Sequence, residues 1–168
     1  MPPGCGISSR VPRVITSLDE LQSLAGGAVA ASSSWIQIEQ PMIDSFAAVS
    51  GDRQWIHVDT ERARGESPWG TTIAHGFLTL SLLSRMAAEA VSLQLGQSAS
   101  INYGLNKVRF PAPVPAGSRI RGHFSVAACG PRPGGVEVVW HVTVEVEGQP
   151  KPVCVAEWVL RLMTGSAT

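Results

Sequence analysis

Residues 136–147 read VEVVWHVTVEVE, and their apolar side chains recur at every second position. A period of two is typical of a β-strand that buries one face, and the buried side here would carry Val136, Val138, Trp140, Val142, Val144 and Val146. Two neighbouring stretches alternate in the same way, SRIRGHFSVAAC at 118–129 and PVCVAEWVLRLM at 152–163. In the first of them the apolar face would carry Ile120, Phe124, Val126 and Ala128. The linkers GPRPGG and EGQPK consist of turn-forming residues, so these are predicted to be consecutive antiparallel strands.

A strongly apolar stretch precedes the strands, TIAHGFLTLSLLSRMAAEAVSLQL at 72–95. One helical face would carry Ile73, Phe77, Leu80, Leu83 and Ala87, and other leucines occupy the remaining faces. A helix that is apolar nearly all round is predicted to be buried. One long buried helix followed by long antiparallel strands predicts an α+β fold in which the sheet wraps around the helix.

The secondary structure of the N-terminal part is predicted from residues that cap helices and residues that end them. A short helix would follow Ser17, with Glu20 completing a capping box, and a second helix would end at Gly51. The stretch WIQIE at 35–39 reads as a short strand, and ARGESPWGTT at 63–72 reads as a loop. We expect a flexible segment at 1–14, one domain at 15–163 and a short tail at 164–168.

Composition excludes several classes of protein. Of 168 residues, 44% are hydrophobic and 15% charged, which is typical of one globular domain. Thirteen basic residues balance thirteen acidic ones, so the basic excess of a nucleic-acid binder is missing. No apolar run approaches the roughly 20 residues that a membrane span needs. The three cysteines are widely spaced and odd in number, which indicates a reducing compartment, and we expect the protein to be cytoplasmic.

A candidate site lies in SGDRQWIHVD at 50–59, where Asp52 and His57 stand five residues apart beside apolar side chains. A carboxylate and an imidazole that share one water can take and return protons during a reaction. Apolar neighbours would exclude other water from the turn. His57 and Asp59 could suggest a metal, but no third ligand stands at a recognisable spacing, so no metal site is predicted.

Three stretches resemble one known family. FAAVSGDRQWIHVDTERA at 46–63 is similar to the hydratase signature of MaoC-type dehydratases and (R)-specific enoyl-CoA hydratases. GTTIAHGFLTLSLLS resembles that family's AHG turn and central helix, and NYGLNKVRFPAPVPAGSRI resembles the strand that follows. The closest branch is the single-domain group that includes nodulation protein N. The signature positions matched are Phe46, Ser50, Gly51, Asp52, Ile56, His57 and Ala63. The departure is Gln54-Trp55, where the broader signature has Asn-Pro.

The resemblance implies the hot-dog fold, an antiparallel sheet around one long helix, in agreement with the periodicity. It also implies a catalytic pair, Asp52 and His57, and an oxyanion-binding amide at Gly76. Gln54 and Trp55 lie between the pair in sequence and would contact substrate.

Two further residues are given supporting roles. The His75 ring would fix the loop rather than touch substrate. Ser84, two helical turns after Gly76, matches a family position that supports the active site by hydrogen bonding, but a helix serine can equally bond back to a backbone carbonyl.

The resemblance therefore predicts a cofactor-free (R)-specific enoyl-CoA hydratase that also runs in reverse as a 3-hydroxyacyl-thioester dehydratase. Two alternatives remain, a hot-dog thioesterase and a non-catalytic subunit that binds acyl thioesters. The acyl carrier, coenzyme A or acyl-carrier protein, is open, and so is the identity of the group that protonates the α-carbon. An exposed sheet edge with few charges predicts a homodimer.

Overall fold

The computed structural model describes residues 11–164, which form eight strands and six helices. In chain order the elements are β1 (Arg13–Ile15), α1 (Leu18–Ser23), β2 (Ala31–Ser32), β3 (Ile36–Gln37), α2 (Gln40–Ser50), α3 (Trp55–Val58), α4 (Thr60–Glu66), α5 (Gly76–Ser81), α6 (Leu83–Ala90), β4 (Val91–Leu93), β5 (Gln97–Arg109), β6 (Arg119–Arg132), β7 (Gly135–Val146) and β8 (Cys154–Thr164). None of the helices within 11–164 is long and apolar enough to cross a membrane.

The main sheet is antiparallel, with strand order β2-β6-β7-β8-β5, and β3 also pairs with β6. The predicted consecutive pairing of the last three strands is confirmed, because β7 is hydrogen-bonded to β6 on one side and β8 on the other. A separate pair, β1 with β4, is parallel. Helices lie against the inner face of the sheet, so the predicted α+β class is confirmed.

The core forms where alternating side chains of β6–β8 meet the central helix. All the residues expected on the apolar face of β7 beyond Val136 are buried, from Val138 to Val146. In β6, Ile120, Phe124 and Val126 are buried as predicted. Ala128 is exposed instead, since a register shift between Val126 and Ala128 turns the rest of the strand over.

The central helix is shorter than the predicted 72–95. Helices α5 and α6 are joined at Leu82, which keeps near-helical backbone angles, and the chain becomes strand β4 at Val91. The β-branched Val91 favours that change. Burial is also one-sided: Leu78, Leu83 and Met86 pack inward, whereas Phe77 is 69% exposed. The expected all-round burial is wrong for a single chain, whose sheet covers one face of the helix.

The N-terminal predictions hold in part. The Ser17 hydroxyl accepts the Glu20 amide at 3.1 Å, and α2 ends at Gly51 with φ of 78°. The expected loop 63–72 begins inside α4, because the Asp59 carboxylate caps that helix by accepting the Arg62 amide. Within the segment expected to be flexible, β1 begins at Arg13, whereas residues 1–10 and 165–168 lie outside the described part of the chain.

Candidate active site

The turn after α2 sets the position of Asp52. Gly51 takes the left-handed conformation that ends the helix, and its amide donates to the Ala47 carbonyl at 3.0 Å. The Asp52 amide then donates to the Ser50 hydroxyl at 3.3 Å, and the Asp52 carboxylate accepts the Gln54 amide at 3.3 Å. Asp52 is exposed in the single chain, because the turn projects beyond the last buried residue of α2. The expected apolar surroundings therefore apply to His57 and not to Asp52.

His57 is buried on the short helix α3, and its tautomer follows from its hydrogen bond. Its Nδ1 lies 2.7 Å from the Ile73 carbonyl, which can only accept, so Nδ1 carries the proton and Nε2 keeps a lone pair. Burial lowers the pKa of His57 below its ordinary 6.5; the Ile73 bond raises it, His75 lowers it and the Asp52 carboxylate raises it. The neutral imidazole is thus favoured near pH 7, with Nε2 able to accept a proton.

His75 connects the two residues of the pair. Its Nε2 donates to the Asp52 backbone carbonyl at 2.9 Å, and its ring stacks on His57 with centroids 3.7 Å apart and planes 26° apart. Its Nδ1 is buried and has no hydrogen-bond partner among the described residues. The ring therefore holds the Asp52 turn on one side and the His57 ring on the other.

These three residues also form a possible ligand cluster, with one ligand atom from each of Asp52, His57 and His75 within 4.8 Å of the others. This set was not predicted from the sequence, where Asp59 stood beside His57 as the candidate ligand; the Asp59 carboxylate caps α4 instead. A metal needs lone pairs that converge at about 2.0–2.1 Å. Each imidazole donates one N–H to a backbone carbonyl, an arrangement that metal-bound histidines also show, so this bond is compatible with either role. The stacking of the two rings, with planes 26° apart, keeps their lone pairs roughly parallel, which suits a hydrogen-bond relay better than a converging set of metal ligands.

A cavity of about 320 Å³ brings His57 and Gly76 together, with Thr79, Phe110 and Val153 among its other walls. Gly76 is the first residue of α5, so its amide has no acceptor within the helix. A Cβ at Gly76 would lie 3.0 Å from the Phe110 ring, so a larger residue there would have to displace that ring. His57 and Gly76 both line this cavity, so a substrate in it would lie beside the imidazole and beside the first residue of α5.

The other predicted residues lie outside this cavity. Gln54 is exposed at the start of α3, and Trp55 is half-buried beneath the Arg62 guanidinium, 4.2 Å from the ring centroid. Ser84 is exposed on α6 and lines two different cavities. In the single chain the structure therefore brings together Asp52, His57, His75 and Gly76, and not the remaining three.

Two contributors were not predicted from the sequence. The Ile73 carbonyl orients His57, and a backbone carbonyl leaves no trace in the residue types. Phe110 lines the cavity, and the signal for it was the FPAP stretch at 110–113, which ends the long strand beside the AHG turn.

The comparison with family models decides the relationship: residues 22–148 match the model for the MaoC like domain. The chain belongs to the MaoC-like dehydratase family. The predicted resemblance, the hot-dog fold and the assignment to a family of hydro-lyases are thereby confirmed.

Curated relatives of this MaoC-like protein carry two names. It is 49% identical over 150 residues to 3-hydroxyacyl-thioester dehydratase Z of Mycobacterium tuberculosis. The match covers 89% of this chain and 97% of that protein. It is 44% identical over 144 residues to Nodulation protein N of Rhizobium meliloti, covering 85% and 89%. Among solved structures it is similar to the unliganded R-hydratase PhaJ1 of Pseudomonas aeruginosa, with a TM-score of 0.65, 26% identity, and 82% and 83% coverage.

Proposed function

We propose that this MaoC-like protein is an (R)-specific enoyl-thioester hydratase that adds water reversibly to trans-2-enoyl thioesters. The observation that carries the proposal is the His57 ring, whose Nδ1 is held by the Ile73 carbonyl, in a cavity that Gly76 also lines. The Asp52 carboxylate lies within 4.8 Å of the imidazole ligand atoms, close enough for both groups to bind one water. The names of the relatives, a 3-hydroxyacyl-thioester dehydratase and an R-hydratase, support the same reaction.

The chemistry assigns one proton transfer to each half of the addition. A water bound by Asp52 and His57 loses a proton to one of them while its oxygen bonds to the β-carbon. The double-bond electrons move toward the thioester, forming an enolate, and a proton then returns to the α-carbon. Because the two groups share their protons, the identity of the α-proton donor stays open. Dehydration is the same sequence in reverse, and no cofactor enters either direction.

The enolate oxygen needs a donor, and the free Gly76 amide in the first turn of α5 supplies it. Elsewhere the loss of one such donor costs about 2.7–4 kcal/mol of transition-state stabilisation. Ser84 would support the reaction only if a second subunit carried it to the pair, and Gln54 and Trp55 would serve the turn rather than the acyl group. Substrate would arrive as a thioester of coenzyme A or of an acyl-carrier protein. The unpaired thiols of Cys129 and Cys154 support a reducing, cytoplasmic location.

A homodimer is part of the proposal. Strand β5 lies at one edge of the sheet that the described residues form, and its side chains Ile101, Tyr103 and Leu105 are 45%, 56% and 41% exposed. Phe77 on the neighbouring helix is exposed as well. An edge strand with apolar side chains is a site of pairing between chains. We expect a second copy to cover this surface, with a total buried area of at least about 1,200 Å².

Light scattering checks the dimer. The wild type should have twice the chain mass of 17.8 kDa at micromolar concentration. Ile101→Lys places a charge on the edge and should shift the mass toward one chain. Val49→Lys, on α2 and more exposed than Ile101 (89% against 45%), is the control and should leave the dimer intact. An active monomer in the wild type would contradict this part of the proposal.

The reaction is tested with crotonyl-CoA in two parallel readouts. Loss of the conjugated double bond reports hydration, and release of free thiol reports thioester hydrolysis. We expect hydration without thiol release, and chiral analysis of the product should give the (R)-3-hydroxyacyl thioester. Thiol release alone would identify a thioesterase. Binding without either signal, over a range of acyl lengths, would identify a non-catalytic subunit.

A further inference from the structure

Two carbonyls near the end of helix α3 accept hydrogen bonds from outside the helix. The last carbonyls of any helix have no partner within it, and a helix of four residues is not stable alone. The Ile56 carbonyl accepts the Ile73 amide at 2.9 Å, and the His57 carbonyl accepts the side-chain amide of Gln40 at 2.8 Å. The backbone that carries His57 is therefore fixed from two sides, by the chain at Ile73 and by Gln40.

The Gln40 side chain uses both ends of its amide. Its Nε2 donates to the His57 carbonyl and to the Asp44 carboxylate, each at 2.8 Å, and its Oε1 accepts the Thr72 hydroxyl at 2.5 Å. A carbonyl and a carboxylate can only accept, so the amide nitrogen faces both of them and the amide oxygen faces Thr72. Thr72 is fully buried, and its hydroxyl needs such an acceptor. Three partners thus determine how the Gln40 amide is oriented.

These contacts close a cycle of hydrogen bonds on His57. Thr72 is followed directly by Ile73, whose carbonyl accepts the proton on His57 Nδ1 at 2.7 Å. The cycle runs from the His57 carbonyl through Gln40 and Thr72 to Ile73, and the Ile73 carbonyl returns it to the His57 side chain. It ties the backbone of His57 to the acceptor that orients the imidazole, so the Gln40 side chain helps to set the distance between them.

Gln40 stands apart from the space that substrate would occupy. Among the residues that the structure describes, neither Gln40 nor Thr72 lines the cavity at His57. Gln40 is half-buried at the first turn of α2, and its side chain is held by the three hydrogen bonds given above. Of its hydrogen-bond partners, His57 is the one that belongs to the catalytic pair. An effect of Gln40 on the reaction would therefore pass through His57.

We propose that Gln40 is a positioning residue, whose amide holds the His57 backbone and the Thr72–Ile73 segment together so that the Ile73 carbonyl keeps the proton on Nδ1. The inference rests on the proposed function, because it needs the lone pair of His57 Nε2 for proton transfer. Without the amide, the Ile73 carbonyl and the imidazole would no longer be held in register. The other neutral tautomer, in which Nε2 carries the proton and cannot accept one, would then become populated.

The test measures activity and tautomer together. Gln40→Leu removes the amide, and should lower kcat for crotonyl-CoA hydration by about tenfold to a hundredfold with little change in KM. At mildly alkaline pH, where the imidazole is neutral, ¹⁵N NMR should show one His57 tautomer in the wild type and a mixture in the variant. The His57 signals are assigned by their absence from His57→Gln. Gln37→Leu is the matched control, because the Gln37 amide also donates to a backbone carbonyl, that of Gly117, but lies outside the cycle.

Thr72 tests the same cycle at a second position. Thr72→Val loses the hydroxyl but keeps the shape, and should move kcat and tautomer in the same direction as Gln40→Leu by a smaller factor. Thr72→Ser keeps the hydroxyl and should retain the single tautomer. This pair decides the matter if Gln40→Leu does not fold.

Two results would overturn the inference. One is a folded Gln40→Leu or Thr72→Val protein with the wild-type kcat. The other is a loss of kcat while His57 keeps its single tautomer, since Gln40 would then be merely structural. A wild type that hydrates no thioester would contradict the proposed function alone, because the tautomer is measured without substrate and still decides whether Gln40 orients His57.

Discussion

The two halves of the central helix are built by different means. At the start of α5, backbone carbonyls fix the side chains: Ile73 holds His57, and Asp52 is held through His75. Along α6 the surrounding side chains are mostly apolar, and the hydrogen bond there joins Trp158 to Asn102. The first half positions the groups that move protons, and the second half packs the helix against the sheet. Changes in the first half should therefore lower the rate at unchanged stability, and changes in the second half should lower stability.

The largest effect is expected at the catalytic pair. Asp52→Asn and His57→Ala should each lower kcat for crotonyl-CoA hydration by about 10²–10⁴, because each removes a group that moves a proton. The loss should be equal for short and long chains. Steady-state assays on variants with the wild-type melting temperature check this. A variant that keeps nearly the wild-type kcat would show that the pair has been assigned wrongly.

The second largest effect is expected from Gly76→Val, which should lower kcat by about 10²–10³. A side chain there would meet the Phe110 ring and tilt the amide away from the thioester oxygen. Gly65→Val, in helix α4 with nothing within 4 Å of its Cβ, controls for the general cost of valine in a helix. Wild-type activity in a folded Gly76→Val protein would show that the oxyanion site lies elsewhere.

A smaller effect is expected at His75, a positioning residue. His75→Phe keeps a ring to stack on His57 but loses the donor to Asp52, and one hydrogen bond of about 1 kcal/mol corresponds to about a fivefold lower kcat. KM should change little. His75→Gln, which can donate to the same carbonyl, should recover part of the loss. Equal activity in the Phe variant and the wild type would show that the bond does not position Asp52.

The mildest test is the pH dependence of kcat/KM. Burial lowers the pKa of His57, so the acid limb should fall below the ordinary value of 6.5. The same lowered pKa makes stability depend on pH, because the His57 ring binds a proton more readily in the unfolded chain than in the folded one. His57 therefore reduces stability as the pH falls below 6.5 toward its folded pKa. Acid denaturation of His57→Gln, which cannot titrate there, should lack this component. An acid limb above 6.5 would contradict the buried neutral imidazole.

The predictions from sequence succeeded where one local pattern determined the structure. Alternation of valines in β7 requires no knowledge of the rest of the chain, and neither does the αL glycine that ends α2. The end of α6 at Ala90 was missed because the apolar run continues through Leu95, and pairing of β4 with the distant β1 decides the conformation there. Ala128 was misplaced because a bulge leaves no mark in an alternating sequence.

The site shows the same difference between features set by a local pattern and features set by tertiary contacts. The spacing of Asp52 and His57 in the signature was sufficient to predict that they meet. Gln54 and Trp55 lie between the pair in sequence but do not line the cavity in the single chain, so their contact with substrate stays a prediction. The contacts from Ile73 and Asp52 carbonyls to the two imidazoles arise from tertiary folding and from backbone atoms, which residue types do not encode.

The most direct test of the account is a double-mutant cycle on Asp52 and His57. Because both groups act on one water, removing either should abolish its activation, and kcat of Asp52→Asn/His57→Ala for crotonyl-CoA should be close to that of the worse single variant. If instead the two losses multiply, so that the double variant falls by the product of the single effects, the groups act independently and the shared-water mechanism is wrong.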